Sequence, residues 1–277
     1  MGSNIKRLAN EIRLVISDVD GTLLTSKKEL TAEAVAAVQK LKAEKILFTL
    51  TSGRPPLGMK YLIDELRITV PFAAFNGGVY LKPDLTVIEE RPLPAHLVEK
   101  LIDIILAAGL DLWVFTAKDW LVRGLDAPYV AHESQAVRFS PRVVSDFKKI
   151  DGSALKLVAV SSEPEKLKAC QKKILTLFAG EISASQSQKY YLDITSLEAN
   201  KGVVVETISR YLSILTSSVA TLGDNLNDVP MFAKSGVSIA MGNASAEVKE
   251  RAAYLTATND ENGFARAVEK YVLGQTP

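Results

Sequence analysis

Two aspartates stand two positions apart in Asp18-Val19-Asp20-Gly21-Thr22, directly after the apolar run Ile12 to Ser17. In extended chain, residues i and i+2 leave on the same side, so both carboxylates face one way and Val19 the other. Held that close they repel, and keeping both ionised needs a cation or several hydrogen-bond donors. The same five residues also suit an Asx-turn with Gly21 and Thr22 as ordinary turn residues. Ser52-Gly53-Arg54 closes a second apolar run. It offers an anion a hydroxyl and an unobstructed backbone N–H, or equally caps a helix ahead of Pro55. Asn76-Gly77-Gly78 follows a third run and reads either as a common turn pair or as an amide facing a ligand.

Further along, Gly223-Asp224-Asn225-Leu226-Asn227-Asp228 places two carboxylates and two amides in a loop of low apolar content. Helix capping accounts for Asp228 ahead of Val229-Pro230, but less naturally for Asp224, which stands directly at a strand's end. Lys201, in Ala199-Asn200-Lys201-Gly202, opens a predicted helix, where the macrodipole disfavours a cation. A nearby anion would relieve that; a solvated surface lysine would need no such partner.

The elements that must position these residues alternate β and α. Ile12 to Ser17, Lys45 to Thr51 and Phe72 to Phe75 read as buried strands. Helices capped by Thr31 and spanning Leu57 to Leu66 separate them. Such a series predicts a doubly wound, mainly parallel sheet with ligands at its carboxyl edge. Val79 to Leu81 and Thr86 to Glu89 then flank a hairpin turn. Helices over Ala95 to Ala108 and Glu165 to Phe178 follow, with strands Asp111 to Phe115, Leu155 to Val160, one near Ile182 and Tyr190 to Ile194, and an irregular middle between. From Asn200 the β/α rhythm returns, through a helix Lys201 to Leu212 and strands Val219 to Leu222 and Val237 to Ala240. The expected organisation is a discontinuous α/β core, 1–81 and 191–277, carrying an inserted α+β cap, 82–190.

Composition narrows the function classes. With 277 residues, 47% hydrophobic and 23% charged, the chain can bury one large core or two smaller ones. A net charge of +1 with interspersed signs points away from nucleic acid as a partner. A single cysteine, Cys170, excludes an intramolecular disulfide, and with His96 and His132 as the only histidines a Cys/His zinc site is not expected. Cys170 lies in the amphipathic stretch Lys166 to Leu177 and reads as a packing residue. Met1 to Glu11 carries no signal-peptide pattern and no run spans a bilayer, so no membrane partner and a cytoplasmic location are expected.

Taken together and in order, Asp18-Val-Asp-Gly-Thr, Ser52-Gly-Arg, Asn200-Lys201-Gly202 and Gly223-Asp224-Asn-Leu-Asn-Asp228 resemble the four motifs of the haloacid dehalogenase-like (HAD) hydrolase superfamily. Ala240-Met-Gly-Asn-Ala244 and Asn262-Gly263 are similar to segments of its Cof-type phosphatase branch, whose C2-type cap enters between the second and third motifs. The resemblance implies a HAD-like Rossmannoid core and hydrolysis of a small phosphorylated metabolite through an aspartyl-phosphate. Asp18 would be the nucleophile and Asp20 the general acid and base. Mg²⁺ would be held by the Asp18 and Asp224 carboxylates and the Asp20 carbonyl. Ser52, the Gly53 amide, Asn227 and Lys201 would bind the phosphoryl group, with Asn76 near the substrate and Asp228 orienting Lys201. Ser52 stands where threonine is commoner in the branch, and either hydroxyl can serve. A phosphosugar mutase and a catalytically silent phosphometabolite-binding module stay open as alternatives. The presence of both Asp18 and Asp20 speaks against the silent one. Trp113, Trp120, Arg123, Tyr129 and Tyr190 are candidates by composition for substrate selection in the cap. Nothing in the sequence sets an oligomeric state.

Overall fold

Leu14–Ser17 forms the first strand, β1, and all of its residues are buried. A strand covered on both faces loses the polar alternation of a half-exposed one, which is why this run is continuously apolar up to Ser17. The structure, a computed structural model, describes residues 12–150 and 152–275. The leader-free start expected of Met1 to Glu11 concerns residues outside that range.

From β1 the chain runs through α1 (Ala32–Ala43) to β2 (Leu47–Leu50), then through α2 (Lys60–Glu65) to β3 (Phe72–Ala74). β4 (Val79–Leu81) and β5 (Val87–Glu90) follow as a hairpin. The middle of the chain forms α3 (Ala95–Ala107), β6 (Asp111–Phe115), β7 (Trp120–Val122), α4 (Val130–Val137) and β8 (Arg142–Val143). It continues through β9 (Lys156–Val160), α5 (Pro164–Leu177), β10 (Ile182–Gln188) and β11 (Tyr191–Ser196). The last part forms α6 (Lys201–Leu212), β12 (Val219–Gly223), α7 (Val229–Phe232), β13 (Val237–Ala240), α8 (Ala246–Lys249), β14 (Tyr254–Leu255) and α9 (Gly263–Ala267).

Five strands make a parallel sheet in the order β14-β13-β12-β1-β2. Leu14 and Ile16 join an apolar cluster with Val204, Val205 and Ile208 of α6 and Met231 and Phe232 of α7. Val15, on the opposite face, joins Ala37, Val38 and Leu41 of α1 and Phe264 of α9. Helices on both faces give the doubly wound α/β core that the alternation predicts. α1 starts where Thr31 accepts a hydrogen bond from the Ala34 N–H at 3.1 Å. Glu33 in its first turn and Lys40 and Lys42 in its last match the helix dipole. The third strand of the expected parallel series, β3, touches β2's end through a single bridge, Thr51 to Ala73. Its main pairing is antiparallel, with β4.

A second sheet runs β10-β11-β9-β6-β7-β8. One face carries Leu112, Val114, Leu157, Ala159, Leu192 and Ile194, and packs under α3 and α5, where Cys170 is buried. The other face presents Trp113, Phe115, Val158 and Tyr191, which belong to the same apolar cluster as the parallel sheet. The stretch expected to be irregular holds β7, α4 and β8, so the insertion has three helices rather than two. α4 gives little periodic signal because Val130 and Val137 are its only buried residues. Cuts at 82 and 190 would each fall in the turn of a hydrogen-bonded hairpin, β4–β5 and β10–β11.

Phe115 ties the second sheet to the segment after β3, packing on Phe75 at 5.6 Å between ring centroids and stacking on Trp120 of its own sheet at 5.7 Å. Phe115→Ala should lower the free energy of unfolding by about 3–5 kcal/mol in urea titrations. A loss below about 1 kcal/mol would show that the ring is not an anchor between them.

Candidate active site

The carboxyl ends of β1, β2 and β12 lie side by side, so the loops that leave them meet. Asp18 follows β1, with its backbone N–H donating to the Leu222 carbonyl at 3.0 Å and its side chain almost fully buried. Lys201 is the first residue of α6, where the Asn200 side chain caps the Val203 N–H at 3.0 Å. The Lys201 ammonium, 1% exposed, donates to Asp18 Oδ1 at 2.5 Å and to Asp228 Oδ1 at 2.6 Å. That explains a lysine at a helix N-terminus: two carboxylates outweigh the dipole. The other Asp228 oxygen accepts from the backbone N–H groups of Asp224 at 2.8 Å and Asn225 at 2.9 Å. Asp228 therefore fixes both the ammonium and the loop that carries Asp224.

Asp224 accepts from the Thr22 hydroxyl at 3.1 Å and from Asn243 Nδ2 at 3.3 Å. The Asn243 amide also donates to the Gly21 carbonyl at 2.9 Å. Two glycines allow this packing. Gly21 has φ of +85°, and a Cβ there would come within 2.4 Å of an Asp224 oxygen. A Cβ on Gly223 would come within 2.4 Å of the Asp228 side chain. Oxygens of Asp18, Asp224 and Asp228 all lie within 4.8 Å of one another.

Burial pushes the Asp18 carboxyl well up, and the charges of Asp228 and Asp224 add to it, against the opposing pull of Lys201. Burial, with Asp228 beside it, raises Asp224 to about 6, although the Thr22 hydrogen bond works the other way. For Lys201, burial alone would lower the ammonium, and Asp18 and Asp228 together reverse that and raise it. Three carboxylates around one ammonium leave surplus negative charge in a largely closed space. Hard oxygen donors with that charge form a set that can hold a divalent cation.

Asp20 sits apart from this cluster. Its carboxylate accepts a bidentate pair from Arg54, Nε at 2.7 Å and Nη2 at 2.8 Å, and Lys28 lies at 2.8 Å. Burial would raise its pKa, but the hydrogen bonds and charge of Arg54, with Lys28, bring it down to about 2. Arg54 itself is nearly buried and also donates to the Ala136 carbonyl of α4 at 3.2 Å.

The remaining residues line up along the adjoining edge. The Ser52 hydroxyl accepts from the Arg54 N–H at 3.2 Å, and the Ser52 carbonyl accepts from the Asn76 N–H at 2.7 Å. Asn76, at φ of 57°, accepts through Oδ1 from Asn227 Nδ2 at 3.3 Å. Gly53, Asn76, Lys201 and Asn227 line a cleft of about 460 Å³ whose opposite wall is the second sheet. Trp113, Trp120, Arg123, Tyr129 and Tyr190 do not line that cleft. The two tryptophans are fully buried against each other at 5.0 Å, and Tyr129 stacks on Tyr190 at 4.3 Å. The reading from residues alone gave no part to Thr22, Lys28, Arg54 or Asn243. Thr22, Arg54 and Asn243 stand inside the quoted motifs, so their positions were visible and their partners were not.

A profile of haloacid dehalogenase-like hydrolases matches residues 15–268. A haloacid dehalogenase-like hydrolase from Bacteroides thetaiotaomicron superposes with a TM-score of 0.87 at 28% identity, covering 94% of this chain and 99% of that one. A Bacillus subtilis relative named 5-amino-6-(5-phospho-D-ribitylamino)uracil phosphatase is 26% identical over 95% of this chain and 99% of its own length. A Serratia proteamaculans relative named HMP-PP phosphatase is 23% identical over 86% of each chain. The chain belongs to the haloacid dehalogenase-like hydrolases, and within them to the Cof-type phosphatases. Among the described residues no helix is long and apolar enough to cross a membrane.

Replacing Lys201 by methionine leaves Asp18 and Asp228 facing each other in a closed space without their shared cation. Lys201→Met should cost about 3–5 kcal/mol of stability, read as a lower Tm by calorimetry. Adding Asp228→Asn to it should cost less than the sum of the single changes. An unchanged Tm, or full additivity, would contradict the pairing.

Proposed function

We propose that this haloacid dehalogenase-like enzyme is a Mg²⁺-dependent phosphatase that hydrolyses a small phosphorylated metabolite through an aspartyl-phosphate on Asp18. The observation that carries the reading is the buried Asp18–Lys201–Asp228 chain with Asp224 beside it, opening on a cleft edged by Gly53, Asn76 and Asn227. The substrates in the relatives' names, an aminouracil ribityl phosphate and HMP-PP, support small phosphorylated metabolites as the class. We take the second sheet with α3 to α5 as the cap, its limits outside both hairpins, and the cytoplasm as the location.

Asp18 attacks phosphorus, forming a new O–P bond as the ester P–O bond breaks. The leaving alkoxide takes a proton from Asp20, which then accepts one from the water that attacks the aspartyl-phosphate, breaking the Asp18 O–P bond and releasing phosphate. As found, Asp20 is ionised and clasped by Arg54, the state of a base. Acting as an acid requires it to leave Arg54 and carry a proton. The Ser52 hydroxyl, the Gly53 N–H and the Asn227 amide hold the phosphoryl oxygens, with Asn76 positioning Asn227. Lys201 keeps Asp18 aimed and offsets negative charge on the transferring group. Asp18 and Asp224 carboxylates and the Asp20 carbonyl would hold Mg²⁺, which when bound offsets the repulsion between nucleophile and phosphate. Asp228 supports rather than ligates: it is fully buried, with one oxygen on the Lys201 ammonium and the other on two backbone N–H groups, whereas each Asp224 oxygen accepts a single, longer bond.

The test is phosphate release from p-nitrophenyl phosphate with Mg²⁺, with chelator, and in Asp18→Asn. Chelation and the substitution should each reduce kcat/KM by about a thousandfold or more. Activity that survives both would overturn the mechanism. Rearrangement of a sugar phosphate to its isomer without phosphate release would make the protein a mutase, and binding without turnover a silent module.

A further inference from the structure

The cleft has two walls of different character. On the core side lie Lys201, Asn227 and Asn76. On the cap side lie Lys156, Ser183, Ser185, Gln186, Asp193 and Thr195, without an aromatic or aliphatic side chain among them. Strand register explains the grouping. Ser183 stands opposite Thr195, which stands opposite Lys156, and Ser185 stands opposite Asp193. Residues directly opposite share a face, so these five form one polar patch on the face turned from α3 and α5. Gln186 stands opposite Leu192, on the other face of the ladder, and a β-bulge between Gln186 and Gln188 ends the regular alternation. Further along the same face the residues become Phe115, Trp113 and Val158, which pack on the core.

Within the patch, Lys156 and Asp193 form an ion pair at 2.5 Å, with side chains 12% and 14% exposed. That pair uses one Asp193 oxygen. The other, Oδ1, is buried with no hydrogen-bond partner among the described residues. A buried polar atom without a partner costs about 1–3 kcal/mol, so native folds seldom keep one in a cavity wall without a use for it. Here an acceptor stands free, beside the hydroxyls of Ser183, Ser185 and Thr195. Glu133 of α4 borders a small adjoining space with Lys156 and Asp193. The patch's one ammonium is already paired with Asp193, so this end of the cleft has no spare cation among the described residues for a second phosphate.

We propose that Asp193 and Ser185 are specificity-determining residues of the phosphatase, and that they select a neutral, hydroxyl-rich leaving group, a phosphorylated sugar or polyol. A ligand hydroxyl both donates to Asp193 Oδ1 and accepts from the Ser185 hydroxyl opposite it, whereas an aromatic ring edge or an ionised second phosphate has no such proton to give. The volume, about 460 Å³, suits a small molecule spanning both walls. The assignment rests on the phosphatase reading above.

The experiment compares kcat/KM for hexose 6-phosphates, sorbitol 6-phosphate, fructose 1,6-bisphosphate, pyridoxal 5′-phosphate and p-nitrophenyl phosphate in the wild type, Asp193→Ala and Ser185→Ala. The wild type should favour a monophosphorylated sugar or polyol by about tenfold or more over the aromatic esters and the bisphosphate. Asp193→Ala should lower kcat/KM for that preferred ester about a hundredfold, mainly through KM, and for p-nitrophenyl phosphate at least tenfold less. Ser185→Ala, at an exposed strand position, tests the same selectivity without disturbing the ion pair, and should narrow the preference about threefold or more. Aromatic esters preferred by the wild type, or equal losses on all esters in both variants, would overturn the assignment and leave the phosphatase reading standing. No turnover of any ester by the wild type would overturn both.

Discussion

A single buried ammonium holds the catalytic edge of this fold together. Lys201 reaches from the start of one core helix to a carboxylate at the end of the central strand and to another in the loop after β12. Removing three charges from water is expensive, and their mutual attraction compensates only when every remaining lone pair finds a donor. Asp228 meets that condition through two backbone N–H groups. Asp18 and Asp224 meet it incompletely, and their raised pKa values express it. The geometry is stable as a scaffold and unsatisfied as a charge distribution, which is what a site that binds a cation requires.

Around that edge, close approach is bought with side-chain volume. Gly21 and Gly223 stand where any Cβ would enter the carboxylate of Asp224 or Asp228. The second sheet follows the same economy on a larger scale. Its β6 region gives the core an apolar ring cluster, while β9, β10 and β11 give the cleft a polar wall. One sheet face thus divides into a part that packs on the core and a part that lines the cleft.

Much of this was legible in the sequence because strand ends and helix starts are local features, and parallel topology gathers them at one edge. Asp18, Lys201, Asp224 and Asp228 could be placed together on that ground alone. Arg54 could not be paired with Asp20, since nothing in either segment says which carboxylate a guanidinium will reach across the fold. Lys156 and Asp193 were invisible for another reason. They meet through antiparallel register, which turns and packing set and local composition does not. α4 was missed because it buries little and is flanked by Tyr129 and Arg138 at positive φ rather than by a recognisable cap. The aromatic residues that composition suggested for substrate contact are largely committed to packing.

Arg54 touches both halves of the molecule. Its guanidinium is shared between Asp20 in the core and the Ala136 carbonyl at the end of α4. Two events that look separate, the seating of that helix and the release of the Asp20 carboxylate, therefore draw on the same guanidinium. Any ligand that moves one must shift the equilibrium of the other, and by the same free energy in each direction. The position of α4 and the freedom of the Asp20 carboxylate are thereby tied together through a single side chain.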